Sequence, residues 1–400
     1  MSTGLLVAIL FLNGCSYEEL ACEVRDYLQL NNEEQVLLKD EDSGAVSARE
    51  LEDVEQAPAE AVDGLKEEQT QAFHYNRLSE PEQKLYGEIL YILQEHLEDI
   101  QISTTDSGEV EKVFQCVLND HPEIFYVEGY TLTRYALGEE LKMMTLSGTY
   151  SMTPETIEAK KQLIDSYVNQ CFASLPTGEG SQYAIARYVY EYLIENTEYD
   201  AGAPDNQNIC SVFITHRSVC QGYAKATQYL LQKAGIEATL IMGTVQNGEG
   251  HAWNIVFLDG DWYYIDPTWG DASYQREEGE ETPALTETVN YDYFCVTTQE
   301  IERTHSMDDN QLLPVCNAVQ DQYYRHEGLY LQSADKEKID EIFARAAQKG
   351  APMVCFQCAD DTVYQEVYRL LIEEQGIFAY LPESETTAAY LDSDRERTFY

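Results

Sequence analysis

The chain has 400 residues, with 72 Asp and Glu against 25 Lys and Arg, and its formal charge of −47 excludes recognition of a phosphate backbone through basic patches. Nucleic acid is therefore not a partner. That length holds two or three domains with a core each, and the acidic residues lack the spacing of an EF-hand loop, so they read as a solvated surface.

The first apolar run, Leu5-Leu6-Val7-Ala8-Ile9-Leu10-Phe11-Leu12, is too short to cross a bilayer but has the length of a signal h-region. Leu12-Asn13-Gly14-Cys15 is similar to a bacterial lipobox, which implies removal of residues 1–15 up to a lipidated Cys15. The expected location is extracellular, as a cell-surface lipoprotein touching the membrane only through that lipid, or secreted. No Lys or Arg precedes the run and Asn13 is an unusual occupant, so a short buried segment is the competing reading. Residues 16–70, rich in Glu, Asp, Ala, Ser and Gly, read as an acidic flexible linker.

An α/β module is predicted over 71–152. Ser79-Glu80-Pro81-Glu82 starts a helix with a capping box, and Leu85, Ile89, Leu93 and Leu97 follow on one face. Val110, Val113, Phe114 and Val117 mark a shorter helix, and 124–127, 130–136 and 141–150 have strand character. The next domain, 153–332, begins with a helix after Thr153-Pro154-Glu155. A second helix, periodic in Ile185, Tyr188, Val189, Tyr192 and Leu193, leads through a loop and a short helix at 209–215 towards Cys220.

Ser218-Val219-Cys220-Gln221 reads as a capping box with Ser218 as N-cap, which puts Cys220 in the first turn of a helix ended by Gly235. Helix N-termini favour anions, so the thiolate of Cys220 is stabilised there. Downstream, the runs 251–258 and 262–267 flank Asp259-Gly260, a strong two-residue hairpin signal. Counting outward from that turn sets His251 opposite Thr268, so Asp266 is its diagonal neighbour on the same face. A three-residue loop would turn Asp266 away unless a bulge restored it. The triad reading thus requires the tight turn.

Cys220-Gln221-Gly222-Tyr223-Ala224, His251-Ala252-Trp253-Asn254 and Asp266-Pro267-Thr268 together resemble the three motifs of the transglutaminase-like superfamily, of a bacterial exported type. The resemblance implies an α+β fold: a papain-like core in which a helix bearing Cys220 packs on an antiparallel sheet bearing His251 and Asp266. It also implies acyl transfer through a Cys220 thioester, with His251 as base and Asp266 orienting it. Members cross-link proteins, cleave peptides or amides, or have lost activity, so a catalytically silent surface module using the same cleft is the alternative. Expected substrates are proteins or peptides, cell-wall or surface proteins among them, with no cofactor.

The backbone N–H of Cys220 can serve as one oxyanion donor. Gln207 is a second candidate, though it lies further upstream than papain-like spacing. Gln221, Trp253 and Trp269 are candidate cleft residues, with core packing as the other reading of the tryptophans. The segment with His305, Pro314, Cys316 and Tyr323-Tyr324 resembles the region after the triad in such proteins, and its residues point to no particular chemistry.

The ten cysteines are scattered, as buried thiols are, and not clustered in a disulfide framework. Cys355-Phe356-Gln357-Cys358 lacks a second ligand pair and lies in a predicted strand, 351–358, so no metal site is expected. Residues 333–400 read as a small α/β domain: a helix with Ile339, Phe343 and Ala346, that strand, a helix with Val363, Val367, Leu370 and Leu371, and a strand at 377–381.

Overall fold

The computed structural model describes residues 6–8, 54–137, 140–176, 182–271, 289–307, 313–351, 353–381, 388–390, 392–393 and 397–399. The chain divides into two compact units, 16–259 and 1–15 with 260–400.

In the first unit, helix α1 (Ala59–Glu68) occupies part of the stretch expected to be an acidic linker, and it packs on α2 (Glu80–Glu95). Val62 is the reason: it is buried against Gly87 of α2, where an added Cβ would lie 2.9 Å from Val62 Cγ1. The expected capping box starts α2, with the Ser79 N–H donating to Glu82 Oε2 at 2.8 Å. The helix stops at His96, in the left-handed region at φ 55°, so Leu97 falls beyond it and is only half-buried.

Asp106 caps α3 (Ser107–Asp120), and strands on either side of it in the chain form an antiparallel sheet in the order β1 (Ile100–Ile102), β3 (Glu140–Tyr150), β2 (Val127–Leu137). Residues 124–126 are not part of a strand as expected. The Ile124 N–H bonds back to His121 O at 3.1 Å, and the turn buries Ile124, Phe125 and Tyr126 together.

Thr153 caps α4 (Pro154–Phe172), and α5 (Gln182–Asn196) buries Tyr183, Ala186, Val189 and Leu193. Then come the parallel pair β4 (Glu198–Tyr199) and β5 (Arg217–Ser218), α6 (Cys220–Lys233), closed by Gly235 at φ 83°, and the antiparallel pair β6 (Ala238–Val245) and β7 (Gly250–Leu258).

The second unit opens with β8 (Asp261–Ile265), the short helix α7 (Pro267–Gly270) and β9 (Phe294–Val296), which pairs antiparallel with β8. Strand β10 (His305–Met307) comes next. A four-stranded sheet then forms in the order β11 (Tyr330–Leu331), β12 (Phe356–Cys358), β14 (Thr398–Phe399), β13 (Asp392–Ser393). Helices α8 (Lys336–Lys349) and α9 (Asp361–Tyr368) share its core through Ile339, Ile342, Val363 and Val367 against Phe356 and Phe399.

Two expectations change here. The strand predicted over 351–358 is only Phe356–Cys358, and 377–381 forms no strand. Gly376–Ala379 is a 3-10 turn, after which the Tyr380 ring stacks on Phe343 at 4.2 Å and its O–H donates to Asp340 Oδ1 at 2.6 Å. The place beside β12 goes to Thr398–Phe399 instead.

Within residues 1–15 only Leu6–Ala8 is described, paired in parallel with Ala388–Tyr390, and Cys15 with its lipobox lies outside the described residues. Among the described residues, no helix is long and apolar enough to cross a membrane.

Candidate active site

Cys220 is the first residue of α6, one position earlier in the helix than the capping-box reading places it. The N-cap is Val219, extended at φ −116° and ψ 179°, and it supplies no capping side chain. Ser218 is used elsewhere: its hydroxyl lies 2.6 Å from Ser211 Oγ and donates to Asn206 O at 3.1 Å, while its backbone pairs with Tyr199.

This loop closes on the helix start because residue 222 is glycine. A Cβ there would collide with Ser218 Oγ and lie 2.7 Å from Asn206 O. Gln221 does not return to the cap as expected. It is buried, and its Oε1 has no hydrogen-bond partner among the described residues. Gln207, half-buried, likewise has an Oε1 shielded from solvent with no partner among them.

The histidine strand is tied to this helix. Asn254 is fully buried in β7 and its Nδ2 donates to Ala224 O in α6 at 2.9 Å and to Thr239 O in β6 at 3.3 Å. Beside that link Cys220, Ala224, Leu240 and Ala252 form one apolar cluster, so the neighbour of His251 packs with the thiol residue. Cys220 is 3% and His251 4% exposed. The imidazole stacks on Trp253, with ring centroids 5.9 Å apart and planes 20° apart. Trp253 is fully buried, a support under the histidine, whereas Trp269 is half-buried.

At the far end of β7 the chain reverses through Asp259 and Gly260 alone, at φ 49° and 104°. Two consecutive positive φ values belong to the type I′ turn that the Asp-Gly pair predicts. The turn is anchored on α5: the Asp259 carboxylate accepts from Gln182 N at 3.3 Å and Tyr183 N at 3.4 Å, and the Asp259 N–H donates to Gln182 Oε1 at 2.8 Å.

In the second unit Asp266 follows β8 and caps α7, its Oδ1 accepting from Thr268 N at 2.9 Å and Trp269 N at 3.1 Å. Its Oδ2 lies 3.0 Å from His305 Nε2, and both side chains are wholly buried. His305 is the residue that motif reading missed. It sits 39 residues along the chain from Asp266, and a lone histidine in a segment without a motif gives no local signal of that pairing.

The other thiols form no disulfide among the described residues, Cys355 and Cys358 included. Burial pushes Cys116, Cys171, Cys210, Cys316 and Cys358 up to about 12, so they stay protonated and unreactive at neutral pH.

Residues 170–267 match the model of the transglutaminase-like superfamily. The chain carries a transglutaminase-like domain. Its helix-on-sheet core within an α+β fold is therefore the one expected from the motifs. Kyphoscoliosis peptidase of Mus musculus is 26% identical over 128 residues, 28% of this chain and 19% of that protein, and its Homo sapiens counterpart is 28% identical over 100 residues, 21% and 15%. The chain thus spans about a fifth or less of the length of these relatives.

Among solved structures, one described as a TGase is 14% identical, covering 39% of this chain and 53% of its own at a TM-score of 0.27. The periplasmic domain of TgpA from Pseudomonas aeruginosa bound to ethylmercury is 18% identical, covering 33% and 57% at a TM-score of 0.22.

Proposed function

We propose that the protein is a cysteine enzyme that acts on protein or peptide amide bonds by acyl transfer. His251 takes the thiol proton, Cys220 Sγ attacks the carbonyl carbon, and the proton passes to the leaving amine or ammonia as the C–N bond breaks. Water then attacks the thioester, giving peptidase or amidase activity, or a primary amine does, giving a cross-link. Asp266 holds the imidazole in the tautomer that accepts the proton. The first-turn N–H groups of α6, with Gln207 as a second donor, receive the oxyanion.

One observation carries this reading: Cys220 opens a helix without a capping side chain, and Asn254 ties that helix to the strand of His251. The two-residue turn supports the third member, because it is the loop length from which the outward count expects His251 and Asp266 on one face. Near-complete burial of Cys220 and His251 favours a second reading, a catalytically silent binding module. We also propose, on the sequence alone, export as a lipoprotein through Cys15; an unmodified Cys15 in the mass spectrum of the mature protein overturns it.

The deciding experiment offers labelled glutamine peptides to the full chain with and without a primary amine, alongside Cys220→Ala. Loss of turnover in Cys220→Ala is expected, with at least about a thousandfold drop for a removed nucleophile. Peptide binding that survives Cys220→Ala, with no turnover by either protein, establishes the silent module instead.

A further inference from the structure

We infer that His305 is a positioning residue for Asp266, clamping the carboxylate in the orientation that holds the general base. The inference rests on the acyl-transfer reading and adds a member to it. An ionised carboxylate only accepts hydrogen bonds, so the 3.0 Å contact puts a proton on His305 Nε2. Oδ1 is already taken by the N–H groups of Thr268 and Trp269. Rotating the carboxylate therefore breaks three hydrogen bonds in a site with no exposure.

The other face of the imidazole is fixed as well. Nδ1 lies 2.7 Å from Thr304 Oγ1, and that hydroxyl also lies 3.3 Å from Ile301 O. A neutral ring accepts the Thr304 proton at Nδ1; a protonated ring donates to Oγ1 while the hydroxyl turns to Ile301 O. In both cases the proton stays on Nε2 and is donated to Asp266. The ring is wedged beside Trp269 at 4.8 Å and Tyr293 at 5.9 Å between centroids, so the clamp is held by packing too. Outer partners of metal-ligating histidines and carboxylates are worth about 10- to 100-fold in activity, and an effect of the same order is expected for a partner that orients Asp266.

The test uses the full chain with His305→Phe, which keeps a ring between Trp269 and Tyr293 but has no donor, and His305→Gln, whose amide N–H reaches the place of Nε2. Read out are kcat and KM on the glutamine peptide, the rate of Cys220 alkylation by iodoacetamide, and the melting midpoint. Expected for His305→Phe is a kcat about 10- to 100-fold lower, KM within about twofold and slower alkylation, with most of both rates recovered in His305→Gln.

A folded His305→Phe with wild-type kcat and alkylation overturns the inference, as does a Gln variant no better than Phe. Should His305→Phe not fold, Thr304→Val reads the clamp from the other side: a several-fold lower kcat is expected, and an unchanged kcat overturns it. If wild-type Cys220 alkylates no faster than an ordinary exposed thiol and turns over nothing, the acyl-transfer reading itself fails and the inference with it.

Discussion

At the start of α6 the cap position holds Val219, which offers the helix no side-chain oxygen; at the start of α7 it holds Asp266, whose carboxylate takes two backbone N–H groups. The two helix ends have the same unmet donors and satisfy them in opposite ways. An open start leaves N–H groups and a partial positive charge for an anion made during a reaction. A closed start uses that same field to immobilise a carboxylate. Five other helices share the second pattern, capped by Ser79, Asp106, Thr153, Asp335 and Asp360, whereas α1 behind Pro58 starts without a side-chain cap, as α6 does.

Asp266→Asn breaks the closed end while keeping a side-chain oxygen for the cap. Its kcat should fall about 10⁴-fold if the carboxylate fixes the tautomer of the base, with a melting midpoint lowered by only a few degrees. A kcat within about tenfold of wild type removes Asp266 from the mechanism.

Gly222→Ala attacks the open end through its packing. A methyl forced against Ser218 Oγ and Asn206 O should cost about 1–3 kcal/mol in urea unfolding, and Cys220 alkylation should slow as the helix start shifts. Full stability in this variant means that the loop can back away.

Val219→Thr converts the open start towards the closed kind, since threonine keeps the valine shape and brings a capping hydroxyl. Alkylation of Cys220 should slow several-fold, while a gain of about 1 kcal/mol from the cap is offset by burying the hydroxyl. Unchanged reactivity would show that the free N–H groups do not act on the sulfur.

The smallest effect belongs to the capping box of α2, where hydrogen bonds from Lys112 and Ser79 hold the Glu82 carboxyl down to about 2. A depressed pKa stabilises the fold above the ordinary value of 4.5, and that contribution is lost as pH falls towards about 2. Lys112 is 59% exposed, so solvent screening keeps the gain below about 1 kcal/mol. Glu82→Gln should unfold at slightly lower urea than wild type at pH 7, and the gap should narrow by pH 3.

Much of this was legible because it is local. The box at Ser79 and Glu82, the helix start at Thr153-Pro154-Glu155, Gly235 after α6 and the Asp259-Gly260 turn each act within a few residues, and the structure contains each one. The box read at Ser218 was not there, since the same serine had longer-range partners in Ser211 and Asn206. The strand read at 377–381 failed similarly: an apolar, aromatic run suits an edge strand or a ring stacked on a helix, and Phe343 decided between them.

By itself the sequence determined the place of Cys220 in a first helical turn and the tight reversal after His251, because caps, periodicity and turn chemistry are written over neighbouring residues; the α+β character of the core followed from the resemblance of its three motifs. Only the tertiary structure decided that α6 would start without a cap, that Asn254 would join thiol helix to histidine strand, and that His305 would close on Asp266. Those choices depend on which buried donor finds which acceptor across tens of residues, and desolvation enforces such pairings without leaving a pattern in the chain.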